Sequence, residues 1–125
     1  MSMGLRGLHE GLRPYAEYAV ALGRYYGIEP RITSVRRSWA EQQQLYDRYR
    51  ASVAAGTFKK PGGVQYPAAP PGRSAHGLGL AWDSVVPAHQ QQLWNRIREY
   101  AGFKVLANDI IHAEYPRWRE VAGIG

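Results

Sequence analysis

Residues 56–73, GTFKKPGGVQYPAAPPGR, hold four of the chain's eight prolines and four of its fourteen glycines. Proline removes a backbone donor and glycine costs conformational entropy, so neither a helix nor a strand tolerates this density. The stretch reads as a long loop that divides the chain in two. An ordered loop of this length in a small domain is more often functional than a connector. It reads either as a groove wall that selects substrate or as a slack connector.

On either side the hydropathy pattern is regular. Residues 12–26 predict a helix that has Pro14 near its start, Leu and Ala on one side and Gly27 as a stop. Arg31–Val35 has the β-branched content of a short strand. Ser38 is followed three residues later by Glu41, a capping box that opens a Gln-rich amphipathic helix over 39–55. Beyond the loop, Leu80–Val86 reads as a strand ended by Pro87. A helix over 88–101 stops at Gly102, and Phe103–Leu106 and Ile110–Glu114 read as further strands. Helices first and short strands later predict an α+β fold, with N-terminal helices packed on a short antiparallel sheet.

Composition excludes several classes. With 125 residues, 45% of them hydrophobic and including nine Tyr and four Trp, the chain can build one core, so 1–125 is expected to be a single domain. The absence of cysteine removes disulfide scaffolds, thiol nucleophiles and thiolate zinc sites. Any metal must be held by His and carboxylates. No stretch has the length of a signal peptide's apolar region or of a membrane helix. Synthesis in the cytoplasm without a signal peptide, and no membrane insertion, are therefore expected. Lys+Arg 16 against Asp+Glu 10 gives a net charge of +6. That favours an anionic partner but does not choose among nucleic acid, phospholipid and an acidic wall polymer.

Of the four histidines, two stand with carboxylates in suggestive patterns: Ser74-Ala-His76-Gly-Leu-Gly79-Leu-Ala81-Trp-Asp83 and Asp109-Ile-Ile-His112. Two imidazoles and one carboxylate form a common catalytic zinc set, and these ligand types suit zinc better than magnesium or calcium. Seven residues of straight strand would separate His76 from Asp83 by about 23 Å. A shared metal therefore demands a bend, which Gly77 and Gly79 permit. Asp109, at a turn before His112, could then reach a water on that metal. His9 and His89 read as surface residues, and Trp82, Trp94 and Trp118 as core.

These motifs resemble the D-Ala-D-Ala carboxypeptidase-like zinc peptidases, a group sharing its fold with hedgehog and lysostaphin-type peptidases. The family pattern S-x-H-x-x-G-x-A-x-D, then D/E-x-x-H, is matched in order by Ser74, His76, Gly79, Ala81, Asp83, Asp109 and His112. Upstream, Ile32–Tyr46 is similar to the family stretch T-S-G-Y-R-S-x-x-E-Q-x-x-L-Y, with Val35-Arg36 where the family has Gly-Tyr. The resemblance spans about residues 30–118, and the D-x-x-H form is that of phage endolysins cutting the L-Ala–D-Glu bond of peptidoglycan.

The resemblance implies zinc held by His76, Asp83 and His112, a zinc-activated water, and Asp109 as its base. Glu114 is a rival base, since on a strand it would share a face with His112. Arg37 would stabilise the oxyanion or hold a substrate carboxylate, with Arg36 a competitor. Ser74 would orient His76 or contact substrate, and Gln42, also on the substrate side, would brace Arg37. The partner implied is peptidoglycan, met at the cell wall after release or as a virion component, by a monomer. A D-Ala-D-Ala carboxypeptidase or dipeptidase, and an inactive zinc-bearing wall-binding module, are the alternatives. Nothing in the chain carries a nucleic-acid-binding signature.

Overall fold

The structure, a computed structural model, describes residues 4–124. The first three residues of the segment searched for a leader lie outside them. Helix α1 (Arg13–Tyr25) is followed by β1 (Arg31–Ser34) and α2 (Trp39–Ala54). The long loop then leads through a 3-10 turn at His76–Leu78 into β2 (Ala81–Val85). Next come α3 (Gln91–Tyr100), β3 (Lys104–Leu106), β4 (Asp109–Glu114) and a short α4 (Trp118–Ala122). The strands form one antiparallel sheet in the order β1-β2-β4-β3, so the α+β expectation holds. Each element expected from sequence is present within a few residues. The exceptions are the first turn of the 88–101 helix, which is 3-10 over Ala88–Gln90, and α4, which the sequence reading did not anticipate.

Strand alternation divides the sheet into two chemically different faces. Trp82 and Ser84 of β2 and Ala113 of β4 point one way, where α1 and α3 cover them. Trp82 packs edge-on against Trp94 of α3 at 6.0 Å and against Phe103 at 5.5 Å, and the Trp94 indole N–H donates to Ser84 Oγ at 2.9 Å. All three expected core tryptophans are buried. Helix α1 presents Ala16, Ala19 and Gly23 inward, and a Cβ at Gly23 would meet the Trp94 ring at 2.9 Å. Small residues at this spacing let the two helices approach closely. The opposite face carries Asp83, His112 and Glu114.

Three local features aim the chain at that second face. The register of β1 on β2 shifts between Ile32 and Ser34, a bulge just before Val35. The capping box at Ser38 forms as expected: Glu41 N–H donates to Ser38 Oγ at 3.1 Å, and Ser38 N–H donates to Glu41 Oε1 at 3.2 Å. The 3-10 turn ends on Gly79, which adopts a left-handed conformation with φ of 70°. Of the two glycines expected to bend this segment, only Gly79 needs to be glycine. A Cβ there would sit 3.0 Å from the Gly7 carbonyl oxygen, whereas Gly77 has nothing within 4 Å.

The long loop is ordered by α2. That helix buries only two residues, Gln42 and Ser52, and both serve the loop. Gln42 Nε2 donates to the Ala69 carbonyl at 2.6 Å, while Ser52 Oγ bonds Thr57 Oγ1 at 3.0 Å and accepts from Val64 N–H at 3.4 Å.

Gly79→Ala should cost about 1–3 kcal/mol in urea unfolding, because it adds left-handed strain to a backbone clash. Gly77→Ala should stay within about 0.5 kcal/mol of the parent. Equal effects at the two positions would show that the bend does not depend on Gly79.

Candidate metal centre

Asp83 and His112 are direct cross-strand partners on β2 and β4, so the sheet register alone brings this carboxylate and imidazole together. The third group arrives by the bend. His76 Nε2 lies 3.0 Å from Asp83 Oδ1 and 3.1 Å from His112 Nδ1, and His112 Nδ1 lies 3.3 Å from Asp83 Oδ1. His76, Asp83 and His112 are all buried, and they form a group able to hold a metal ion.

The outward hydrogen bonds fix which atoms face inward. His76 Nδ1 donates to the Val35 carbonyl at 2.6 Å, and His112 Nε2 donates to Glu114 Oε1 at 2.8 Å. Each ring therefore spends its N–H outside and turns its other nitrogen toward the carboxylate. Two imidazole lone pairs and a carboxylate oxygen in mutual contact repel one another unless a proton or a cation lies between them. A tetrahedral zinc with bonds of about 2.0–2.1 Å would separate its ligand atoms by about 3.3 Å. The observed 3.0–3.3 Å edges fit that requirement.

The titration directions agree with a cation site. Burial opposes charge on His112, yet hydrogen bonds to Asp83 and Glu114 outweigh it and push the imidazole up to about 9. Burial likewise opposes ionisation of Asp83, but the protonated His112 beside it holds the carboxyl well below its ordinary range. Without a metal, a proton on His112 is the cation that stabilises this group.

Around the ligands lies a shell of positioning contacts. Arg37 Nη2 donates to Asp83 Oδ2 at 3.1 Å, its Nη1 reaches Gln42 Oε1 at 3.4 Å, and Gln42 is tied to the loop. Gln42 thus contacts both Arg37 and the loop, and both ends of its amide are used within the protein. Arg36 is exposed and does not line the cleft, whereas Arg37 does. Glu114 bonds His112 through Oε1 and accepts from the Trp118 indole N–H at 2.8 Å through Oε2. Burial acts to raise its pKa, but the bond to His112 holds the carboxyl below its ordinary value. Glu114 is placed to orient a ligand, and neither of its oxygens is unengaged. The same-face relation of His112 and Glu114 was legible in their i, i+2 spacing; the Trp118 contact was not.

Asp109 opens β4 and pairs with Leu106, so it belongs to the strand and not to a turn before it. It lines the cleft, and its buried Oδ1 has no hydrogen-bond partner among the described residues. Burial pushes its carboxyl up, against the opposing pull of His112. Ser74 is also buried at the cleft, but His76 is oriented by Val35 and not by Ser74, whose hydroxyl has no protein partner among the described residues. The carbonyl of Val35 left no signal in the sequence, because any residue supplies one. His9 and His89 lie outside this group. The cleft encloses about 540 Å³ between α2 with residues 64–69 on one side and β4 with α4 on the other.

Beneath the sheet, Arg98 of α3 is fully buried. It donates to the carbonyls of Ile111 and Ile110 at 3.1 and 2.7 Å and to Asn95 Oδ1 at 2.6 Å. It braces the segment between Asp109 and His112, a role no motif announced.

Residues 8–119 match the family described as VanY, D-alanyl-D-alanine carboxypeptidase. No curated protein matches the sequence significantly. Among solved structures, the vancomycin-resistance D,D-pentapeptidase VanY in complex with Zn(II) superposes with a TM-score of 0.67 at 19% identity, over 94% of this chain and 80% of that one. The LD-carboxypeptidase LdcB gives 0.62 at 22%, over 94% and 71%. The Serratia marcescens L-Ala D-Glu endopeptidase ChiX gives 0.54 at 21%, over 95% and 87%. At these identities the likeness is one of fold.

Two outcomes are expected. Metal uptake by the metal-free protein should release about one proton per ion at neutral pH, because His112 stays protonated up to about 9. Affinity should therefore rise about tenfold per pH unit and flatten above that value, as calorimetry in buffers of different ionisation enthalpy would record. Glu114→Gln should weaken metal binding by about 10–100-fold while the fold is retained.

Proposed function

Because the chain belongs to the VanY D-alanyl-D-alanine carboxypeptidase family, we propose that it is a zinc-dependent peptidoglycan peptidase, and within that class an endopeptidase cutting the L-Ala–D-Glu bond of stem peptides. The observation that carries the peptidase reading is the inward convergence of His76 Nε2, Asp83 Oδ1 and His112 Nδ1 beside a buried carboxylate, Asp109, with an unpartnered oxygen. One feature supports the endopeptidase form: the carboxylate three residues before His112 is an aspartate, as in the endolysin motif.

When bound, zinc supplies Lewis acidity that brings the ionisation of a water close to neutral pH and polarises the scissile carbonyl. The chain's own residues do the rest. His76, Asp83 and His112 would hold the ion, each locked by an outward contact. Asp109, raised by burial, accepts the proton of the attacking water and passes it to the leaving amine. Arg37 anchors Asp83 through Nη2 and turns its remaining donors to the carbonyl oxygen as charge develops there. Ser74 offers its hydroxyl to the substrate backbone.

A second reading, removal of a terminal D-Ala, is favoured by the family description and by the superposition on VanYB with D-alanine-D-alanine, at a TM-score of 0.68. Digestion of purified cell wall with mass-spectrometric analysis of the products separates the two. New amino termini at D-Glu, abolished by EDTA and by His112→Ala, are expected. Release of D-Ala would select the second reading. Absence of any cleavage with zinc bound would leave a wall-binding module. Asp109→Asn should keep the metal and lose about 10²–10⁴-fold in kcat.

A further inference from the structure

Three arginines reach the cleft from three different segments: Arg48 from α2, Arg73 from the end of the long loop and Arg119 from α4. All three are exposed, and none is ion-paired among the described residues. Two other surface arginines are ion-paired, Arg24 with Glu29 and Arg117 with Glu120. Arg117 thus takes the nearby acid, and Arg119 instead lies 5.2 Å over the Trp118 ring. Through Trp118, Glu114 and His112 that guanidinium is linked contact by contact to the metal group.

The cleft's own carboxylates do not neutralise this rim. Asp83 is held by Arg37 and two imidazoles, and Glu114 by His112 and Trp118. Asp109 is committed by the proposed reaction. Four arginines, counting Arg37, face three carboxylates before a divalent ion is added. A cleft of that sign draws anionic ligands. Guanidinium groups read a carboxylate through paired N–H donors, and an amide in the same place offers one acceptor and turns its own donors against them.

Resting on the peptidoglycan reading above, we propose that Arg48, Arg73 and Arg119 form a carboxylate-reading rim. The substrate class is then the stem peptide whose carboxylates, above all the D-Glu α-carboxylate beside the scissile bond, are free and not amidated. The rim selects against amidated wall by loss of charge and by a donor–donor clash.

The test uses synthetic stem peptides in two forms, with the D-Glu α-carboxyl free or amidated, and zinc-loaded wild type, Arg48→Gln, Arg73→Gln and Arg119→Gln. Wild type should prefer the free acid by about 10–100-fold in kcat/KM, mostly through KM. At least one rim variant should pull that ratio toward one, and added salt should shrink it because the groups are exposed. A wild-type ratio near one, or a ratio unmoved in all three variants, overturns the rim while leaving the peptidase intact. If neither peptide is cut, the endopeptidase reading fails, and calorimetric binding of both peptides to zinc-loaded Asp109→Asn decides the rim separately. Tighter binding of the acid, weakened by a rim substitution, supports it; equal binding overturns it.

Discussion

A carboxylate cannot remain charged inside a sheet without partners, and Asp83 lies on an interior strand with 6% of its surface exposed. Each of its oxygens is met from a different part of the chain. His112 comes from the neighbouring strand, His76 from the turn before β2, and Arg37 from the segment after β1. Removing one partner from such a group leaves uncompensated charge, at a cost of about 3–5 kcal/mol. The bulge in β1, the left-handed Gly79 and the register of β2 on β4 can be understood together as the backbone geometry this convergence requires.

The sheet separates stability from chemistry. Period-two alternation sends Trp82 and Ser84 to the side covered by α1 and α3, and Asp83 to the side that opens on the cleft. The aromatic cluster of Trp82, Trp94 and Phe103 makes one face rigid, so the other can hold a costly constellation of buried polar groups. Arg98 joins the two, since it is anchored in α3 and grips the carbonyls of the strand that carries Asp109 and His112.

Helix α2 has a different task. Its buried positions are polar and hold loop backbone and loop hydroxyls, so the helix acts as a frame for residues 56–73. This gives physical content to the groove-wall reading of the loop: residues 64–69 border the cleft, and Gln42 couples them to Arg37 and through it to Asp83. A connector slack enough to wander would not carry those bonds.

The sequence by itself determined the elements and the ligand set. Periodicity, the capping box and the proline-rich break place the helices and strands within a few residues, because those signals are local. The motif, read with its family resemblance, pointed to His76, Asp83 and His112, and a metal shared by His76 and Asp83 already demanded a bend. The tertiary structure alone decided what surrounds them. It placed Val35 and Glu114 behind the two imidazoles, left Asp109 with an unpartnered oxygen, sent Arg36 outward and Arg37 inward, and seated the unforeseen α4 so that Trp118 reaches Glu114. A motif records which residue types a site needs. Which backbone carbonyl caps a ring, and which carboxylate keeps a free oxygen, depends on contacts between segments distant in sequence, and those exist only once the sheet has set its register.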